Sequence, residues 1–381
     1  MIPPHGGKLI SRILTRNDRE KTLRLIPSIK RVDLSQELAF EVENIATGLF
    51  SPLQGFLGRE DFQSVLKEGR LKSGIPWTIP IVLDIDADLA SEIGDHLALY
   101  YKGEPIAIMT VEEIYDYDRA EMAKSVYGTL NERHPGVVKV KDMKERLVGG
   151  KIDLINPIPA RFSKHHLTPE ETRALFKSKG WKTVVAFQTR NVPHIGHEYL
   201  QKSALTFVDG LFINPVIGKK KKGDYKDEVI IDAYLSLIKN YYPEDKVVLN
   251  TLQMEMRYAG PREAIHHAII RKNYGCTHII IGRDHAGVGD FYSPYAAHEI
   301  FDKYPDLGIT PFFFKSFYYC QRCGGVVNDK VCPHSEEFRI NFSGTKIREA
   351  ILSGDPLDEA HLLIRPEVEA IIRTHPSPFV E

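Results

Sequence analysis

The sequence predicts an α/β protein: a β-rich amino-terminal part, then a doubly wound, parallel-sheet domain, then a small helical carboxyl-terminal part. Three observations carry this expectation. The 381 residues are about 2.5 times the roughly 150 residues that one domain usually occupies, so two or three units are expected. Up to about Arg161, short strand-like runs are separated by turn residues and a few helices. Beyond it, runs rich in β-branched residues alternate with stretches of helical period, as strands buried on both faces and their crossover helices do. The expected units are 1–163, 164–315 and 316–381.

In chain order, Asp61 to Lys67 suits a helix that Asp61 could cap, while Trp77 to Leu83 and His96 to Tyr100 read as strands. Prolines 157 and 159 mark a change of texture. Thr168-Pro169-Glu170-Glu171 is then a helix start with its cap, first-turn proline and acidic residues. Buried strands are expected at Thr183 to Phe187, Leu211 to Val216, Lys246 to Leu252 and His278 to Ile281. Between them Ile230, Tyr234, Leu237 and Tyr241 recur at helical spacing, and Pro261 opens and Gly275 closes a run holding Ile265, Ala268, Ile269 and Tyr274. A last helix is expected to contain Glu367 to Arg373, and with the end at Glu381 no further fused domain is expected.

Composition narrows the function classes. Fifty Lys and Arg against 51 Asp and Glu give a formal charge of -1, which removes any global electrostatic case for nucleic acid or membrane partners. The first ten residues hold a proline pair and no apolar run, and no stretch approaches the ~18 apolar residues that span a bilayer. A cytoplasmic location is expected. Three of the 4 cysteines fall between Cys320 and Cys332, and in a reducing compartment such thiols are better metal ligands than disulfides. Cys320 and Cys323, with two residues between them, form a knuckle that Cys332 and His334 could complete as a four-ligand, structural Zn2+ site. Cys276 stands apart and reads as a small buried residue.

In open α/β sheets ligands bind beyond the carboxyl ends of strands, beside the point where strand order reverses. Two polar clusters occupy such places: Gln188-Thr189-Arg190-Asn191-Val192-Pro193-His194-Ile195-Gly196-His197 after the first strand, and Gly282-Arg283-Asp284-His285-Ala286-Gly287 after the fourth. If those strands are neighbours, both clusters face one crevice. Pro193 suits the first turn of a helix whose free N–H groups make an anion site, and His194 and His197 share one face at its mouth. Gly196 would leave space for a ligand. Near the carboxyl end, Ser343 can cap a helix carrying Lys346 and Arg348 in its first turns, where polyphosphate is favoured. The Lys219 to Lys222 run is either a solvated charge run or a guide for polyphosphate.

The His-x-Gly-His element at 194–197, paired with Ser-x-Thr-x-x-Arg at 343–348, resembles the nucleotidyltransferases that attack the α-phosphorus of a nucleoside triphosphate. Gln188 to Asn191, Arg257-Tyr258-Ala259-Gly260-Pro261-Arg262-Glu263-Ala264, His278 to Gly287 and Gly48 to Phe56 resemble one family within it, the sulfate adenylyltransferases or ATP sulfurylases. That resemblance implies a PUA-like first domain, a catalytic nucleotidyltransferase domain, Mg2+ with ATP, and a homodimer. It implies conversion of ATP and sulfate to adenosine 5'-phosphosulfate and pyrophosphate. By the same resemblance Thr189, Arg190, Asn191, His194 and His197 form the catalytic group, and Gln188, Arg190 and the backbone at Ala286 hold sulfate. Gln188, Asn191, His194, His197, Gly282, Arg283, Asp284, His285, Ser343, Lys346 and Arg348 hold the nucleotide. Many members have Pro directly after Asn, whereas here Val192 intervenes, with the histidine spacing kept. An RNA-binding protein with a PUA-like fold and a zinc knuckle is the alternative, and the balanced charge argues against it.

Overall fold

Burial that alternates along Glu104–Asp116 is what a strand covered on one face requires, and this long strand organises the first half of the chain. The computed structural model describes residues 2–87, 89, 92–342, 348 and 360–381. Strands β1 (Lys30–Asp33), β2 (Gly55–Phe56), β3 (Leu83–Ile85), β4 (His96–Tyr101), β5 (Glu104–Asp116) and β6 (Arg146–Leu154) form one sheet. Its order is β1-β4-β5-β6-β2, with β3 also on β6. Helices α1 (Arg16–Leu25), α2 (Gln36–Ala46), α3 (Arg59–Glu68), α4 (Arg119–Tyr127) and α5 (Pro135–Lys141) surround it.

Two local expectations fail here. The run from Trp77 to Val82 is buried but belongs to no strand. Pro80 lacks an N–H, and the Trp77 indole donates to the carbonyl of Ile79 at 2.7 Å instead of leaving the segment extended. Helix α3 begins at Arg59 behind Gly58, and Asp61 sits inside its first turn, accepting the Lys72 N–H at 2.8 Å.

The second half holds six parallel strands: β7 (Val184–Thr189), β8 (Gly210–Ile217), β9 (Val247–Leu249), β10 (Leu252–Gln253), β11 (His278–Ile281) and β12 (Thr310–Phe313). The order is β10-β8-β7-β11-β12, with β9 also on β8. The run from Lys246 to Leu252 is therefore two short strands, broken where Asn250 turns inward and accepts the Leu167 N–H at 2.6 Å. Helices α6 (Pro169–Ser178), α7 (Ile195–Leu205), α8 (Asp227–Tyr241) and α9 (Pro261–Tyr274) cover the sheet. Thr168 and Glu171 form a capping box on α6. Gly275, at φ +102°, closes α9 in a conformation that suits glycine. Because β7 has β8 on one side and β11 on the other, strand order reverses there, and the loops after β7 and β11 emerge side by side.

Helix α9 is the seam between the halves. Ile265 and Ile269 share one buried apolar cluster with Phe50 and Trp77 of the first half and Ile279 of the sheet. Arg262 donates to the carbonyls of Val65, Leu66 and Thr78 at 2.9, 2.7 and 3.2 Å. Beyond residue 316 the described residues hold strands as well as helices. Strands β13 (Phe317–Cys320), β14 (Gly325–Asn328) and β15 (Arg339–Asn341) make a small antiparallel sheet in the order β14-β13-β15. Helix Pro366–Thr374 buries Val368 and Ile372 in a cluster with Leu237 of α8. Arg365 fixes its start by a bidentate pair with Glu198, both bonds 2.8 Å. Among the described residues no helix is long and apolar enough to cross a membrane. Cys276 is buried, as expected, and burial pushes its thiol up.

Candidate active site

The loop after β7 is held by its own side chains. Thr189 is buried at 5% exposure. Its hydroxyl donates to the Asn191 carbonyl at 3.1 Å and accepts the Asn191 N–H at 3.3 Å and the Tyr234 hydroxyl at 3.3 Å. It therefore shapes the loop from inside. The Arg190 guanidinium lies 4.9 Å over the Tyr258 ring and 3.4 Å from Asp224 Oδ2. Lys220 donates to the Arg190 carbonyl at 3.4 Å and pairs with buried Asp227 at 3.0 Å, so this member of the lysine run is an internal support. Asn191 is exposed, and Val192, inserted before Pro193, is buried.

Helix α7 starts at Ile195, two residues beyond the proline expected in its first turn. His194 is its N-cap, and its Nδ1 accepts the His197 N–H at 3.2 Å. That bond leaves the ring proton on Nε2. The two imidazoles stack with centroids 3.7 Å apart, an arrangement that two positive charges would oppose. Burial, then the neighbouring His197, hold His194 well below the usual imidazole range. Burial lowers His197 to about 4, with the Val192 carbonyl pulling it back in part. Both are neutral at pH 7. Gly196 does not leave room for a ligand: a side chain there would run into the ring of Phe317. The glycine lets β13 pack on the mouth of α7.

The loop after β11 is held by backbone. Asp284 and Ala286 sit at φ +55° and +56°, in the left-handed region that side chains disfavour. The Asp284 N–H donates to Pro294 at 2.8 Å, and the Gly287 N–H donates to Asp284 at 3.1 Å. The Ala286 carbonyl accepts the Gly260 N–H at 3.0 Å, joining this loop to the corner where Tyr258 and Gly260 are also at positive φ. Arg283 and Asp284 form a 3.3 Å ion pair with both side chains 51% exposed, a contact of little energetic weight.

The two loops meet in a cleft of about 510 Å³ lined by Gln188, His194, His197, Gly282, Arg283, Asp284 and His285, and also by Lys315, Ser316, Phe317, Asn341 and Phe342. Arg190, Asn191 and Ala286 are not among its walls. Arg190 lies beside it, between Tyr258 and Asp224. Arg348 is 5.8 Å over the Tyr225 ring, also outside the walls, and Ser343 and Lys346 lie outside the described residues. Sequence reasoning missed Lys315, Asp224 and Tyr258. The signal for Asp224 was its place behind four lysines, and for Tyr258 its place between Arg257 and a glycine.

The knuckle is assembled. The ligand atoms of Cys320, Cys323, Cys332 and His334 all lie within 4.8 Å of one another. His334 Nδ1 is 3.4, 3.3 and 3.8 Å from the three sulfurs, and Cys323 Sγ is 3.8 Å from Cys332 Sγ. A tetrahedral zinc ion with ordinary bond lengths sets its ligands at edges of about 3.8 Å for S···S and about 3.6 Å for S···N. The four residues fit such an ion.

Comparison with known proteins agrees over the whole chain. The ATP-sulfurylase family matches residues 163–375, and the PUA-like domain family matches residues 2–157. A sulfate adenylyltransferase of Pyrococcus abyssi is 58% identical across 99% of both chains. One of Staphylothermus marinus is 55% identical across 100% of both, and one of Halothermothrix orenii 46% identical across 98% of both. A solved structure described as a hexameric APS kinase from Thiobacillus denitrificans aligns at TM-score 0.78 over 99% of this chain and 69% of that one. At 23% identity that likeness speaks to the fold alone.

Proposed function

This chain belongs to the ATP-sulfurylase family, and from that premise we propose that it is a sulfate adenylyltransferase. A sulfate oxygen attacks the α-phosphorus of ATP, the bond to the leaving oxygen breaks, and adenosine 5'-phosphosulfate and pyrophosphate result. No proton moves, because sulfate is already a dianion at pH 7. The barrier is the meeting of two anions, and fixed donors lower it. His194, with its proton on Nε2, donates to the phosphates, and His197, Asn191 and Gln188 act beside it. Arg190 and the Ala286 N–H hold sulfate, with Asp224 and Tyr258 keeping the guanidinium in place. Gly282 to His285 receive the rest of the nucleotide, together with Ser343, Lys346 and Arg348. The observation that carries the reading is the adjacency of β7 and β11, which sets the neutral histidine pair and the Gly282 to His285 loop on one cleft.

Mg2+ enters with ATP, and the thiolate and imidazole donors of the Cys and His knuckle do not suit it. Zn2+ at Cys320, Cys323, Cys332 and His334 is structural, because four protein ligands leave no open position. The enzyme works in the cytoplasm as a homodimer. The deciding test is pyrophosphate release from ATP with and without sulfate. Release that ignores sulfate would overturn the reading, and metal analysis of the purified protein decides the zinc assignment.

A further inference from the structure

Helix α9 carries a polar ladder that ends at the cleft. Glu263, His266, His267 and Arg271 are all at 0% exposure on this helix, where unpaired polar groups are costly. Glu263 and His267, one turn apart, share a face. Glu263 Oε1 accepts the Arg257 N–H at 2.9 Å, and Oε2 accepts the Ala259 N–H at 3.0 Å. His267 Nε2 faces Oε1 at 3.5 Å, a charge contact with no regular hydrogen bond, and His267 Nδ1 lies 3.0 Å from His285 Nε2. His285 in turn lines both the main cleft and an adjoining hollow of about 210 Å³ under Gly287 to Gly289.

Between two neutral imidazole nitrogens only one proton fits, and the far end of the ladder decides which ring supplies it. Burial lifts the Glu263 carboxyl, but two backbone N–H bonds and the Arg257 guanidinium favour the carboxylate. The negative carboxylate 3.5 Å from Nε2 draws the ring proton to that nitrogen, which leaves His267 Nδ1 bare. His285 must then donate from Nε2. Burial and nearby Arg271 keep both rings neutral, with His298 also facing His285. A neutral imidazole has one N–H, so His285 Nδ1 is left as an acceptor.

We propose that the Glu263–His267–His285 ladder fixes His285 as a hydrogen-bond acceptor in the cleft. His285 then reads a donor on ATP, the 6-amino group or a ribose hydroxyl, and not a phosphate oxygen. The inference rests on the cleft being the ATP site. Phosphate oxygens at pH 7 carry almost no protons, so a bare nitrogen would repel them, whereas His194, protonated on Nε2, attracts them. The two histidines give the cleft a phosphate end and a nucleoside end. Glu263 and His267 are positioning residues, since neither lines the cleft.

The test starts with the intact protein labelled with 15N-histidine. Long-range nitrogen–proton correlation reports the tautomer, and the His285 signals are those lost in His285→Gln. The expected result is a neutral ring protonated on Nε2. Equilibrium binding is then compared for ATP, its 6-oxo analogue (inosine triphosphate), and 2'-deoxy and 3'-deoxy ATP. The analogue lacking the donor that His285 reads should bind wild type about tenfold more weakly than ATP, which tells amine from hydroxyl. In Glu263→Gln the amide can donate to His267 and reverse the ladder, so ATP should bind about tenfold more weakly and that analogue should lose nothing further. If Glu263→Gln does not fold, the wild-type tautomer and analogue series decide alone. A proton on His285 Nδ1, or three analogues that bind wild type as ATP does, overturns the proposal. Because binding is read without sulfate, the ladder can fail while adenylyl transfer stands. Failure of sulfate-dependent turnover leaves the tautomer result in place.

Discussion

The loops after β7 and β11 leave neighbouring strands for one cleft, yet they are built by opposite means. The first is tied by side chains: the Thr189 hydroxyl holds Asn191, His194 caps α7, and Arg190 is set against Asp224 and Tyr258. The second is tied mostly by backbone, with Asp284 and Ala286 in left-handed geometry and a carbonyl bridge to Gly260, and His285 supplies its side-chain tie to His267. The difference teaches where function resides in each. Substitution in the first loop removes donors that touch charge, so it should act on turnover. Substitution in the second, His285 apart, leaves most donors in the main chain, so it should act weakly unless it alters backbone geometry.

The largest effects should come from His194→Ala and His197→Ala. Both groups are assigned to charge that grows on the leaving phosphates, so at least one change should lower turnover on the order of 100-fold with a smaller effect on ATP binding. His194→Asn serves as the control, because asparagine can still cap α7. If it restores stability but not turnover, capping and chemistry are separate duties of one ring. Near-normal turnover in both alanine variants would return the pair to a packing role.

Arg190→Lys follows. It keeps the charge and deletes the planar fork that Tyr258 and Asp224 hold in place. Sulfate-dependent turnover should fall by about 2 kcal/mol, a factor of about 30, with ATP binding much less affected. Turnover against sulfate concentration, beside equilibrium binding of a non-hydrolysable ATP analogue, checks this. Normal sulfate dependence with lost nucleotide binding would mean that the two subsites are exchanged.

Thr189→Val should be milder and of another kind. The residue is not itself a cleft wall, but losing its hydroxyl leaves the Tyr234 hydroxyl and the Asn191 N–H without this partner, a cost of about 1–2 kcal/mol in stability. Thermal unfolding reads that directly. Turnover lost without any loss of stability would place Thr189 at the reacting groups after all.

The sequence made the first loop far more readable than the second. Residue types such as Gln188, Arg190 and the histidine pair advertise anion chemistry wherever they stand, and β-branched runs placed them at a strand end. The adjacency of β7 and β11 followed from the commonest strand order. What stayed hidden depended on distant partners. Gly196 read as ligand space because nothing local announces Phe317, 121 positions on. Trp77 to Val82 had the hydrophobicity of a strand, but burial came from α9 and the core, with no neighbouring strand to pair it. Glu263 and His267 were absorbed into the apolar period of a helix, although an acid and an imidazole one turn apart on a helix that buries every face is itself a signal. Positive φ at Asp284 and Ala286 is invisible in residue type.

Ala286→Gly should give the smallest effect, and it tests the comparison most closely. Holding alanine in the left-handed region costs about 1–2 kcal/mol, which glycine avoids, while glycine's extra freedom in the unfolded chain returns about 0.5–1 kcal/mol. The balance is a gain in stability of about 0–1.5 kcal/mol. The N–H assigned to sulfate is unchanged by the substitution, and the carbonyl bond to Gly260 keeps the loop anchored. The dependence of turnover on sulfate should therefore stay within about threefold of wild type. Thermal unfolding and sulfate titration together decide the matter. A clear loss of sulfate affinity at unchanged stability would show that the methyl group itself shapes the anion site, and the contrast between a side-chain loop and a backbone loop would fall.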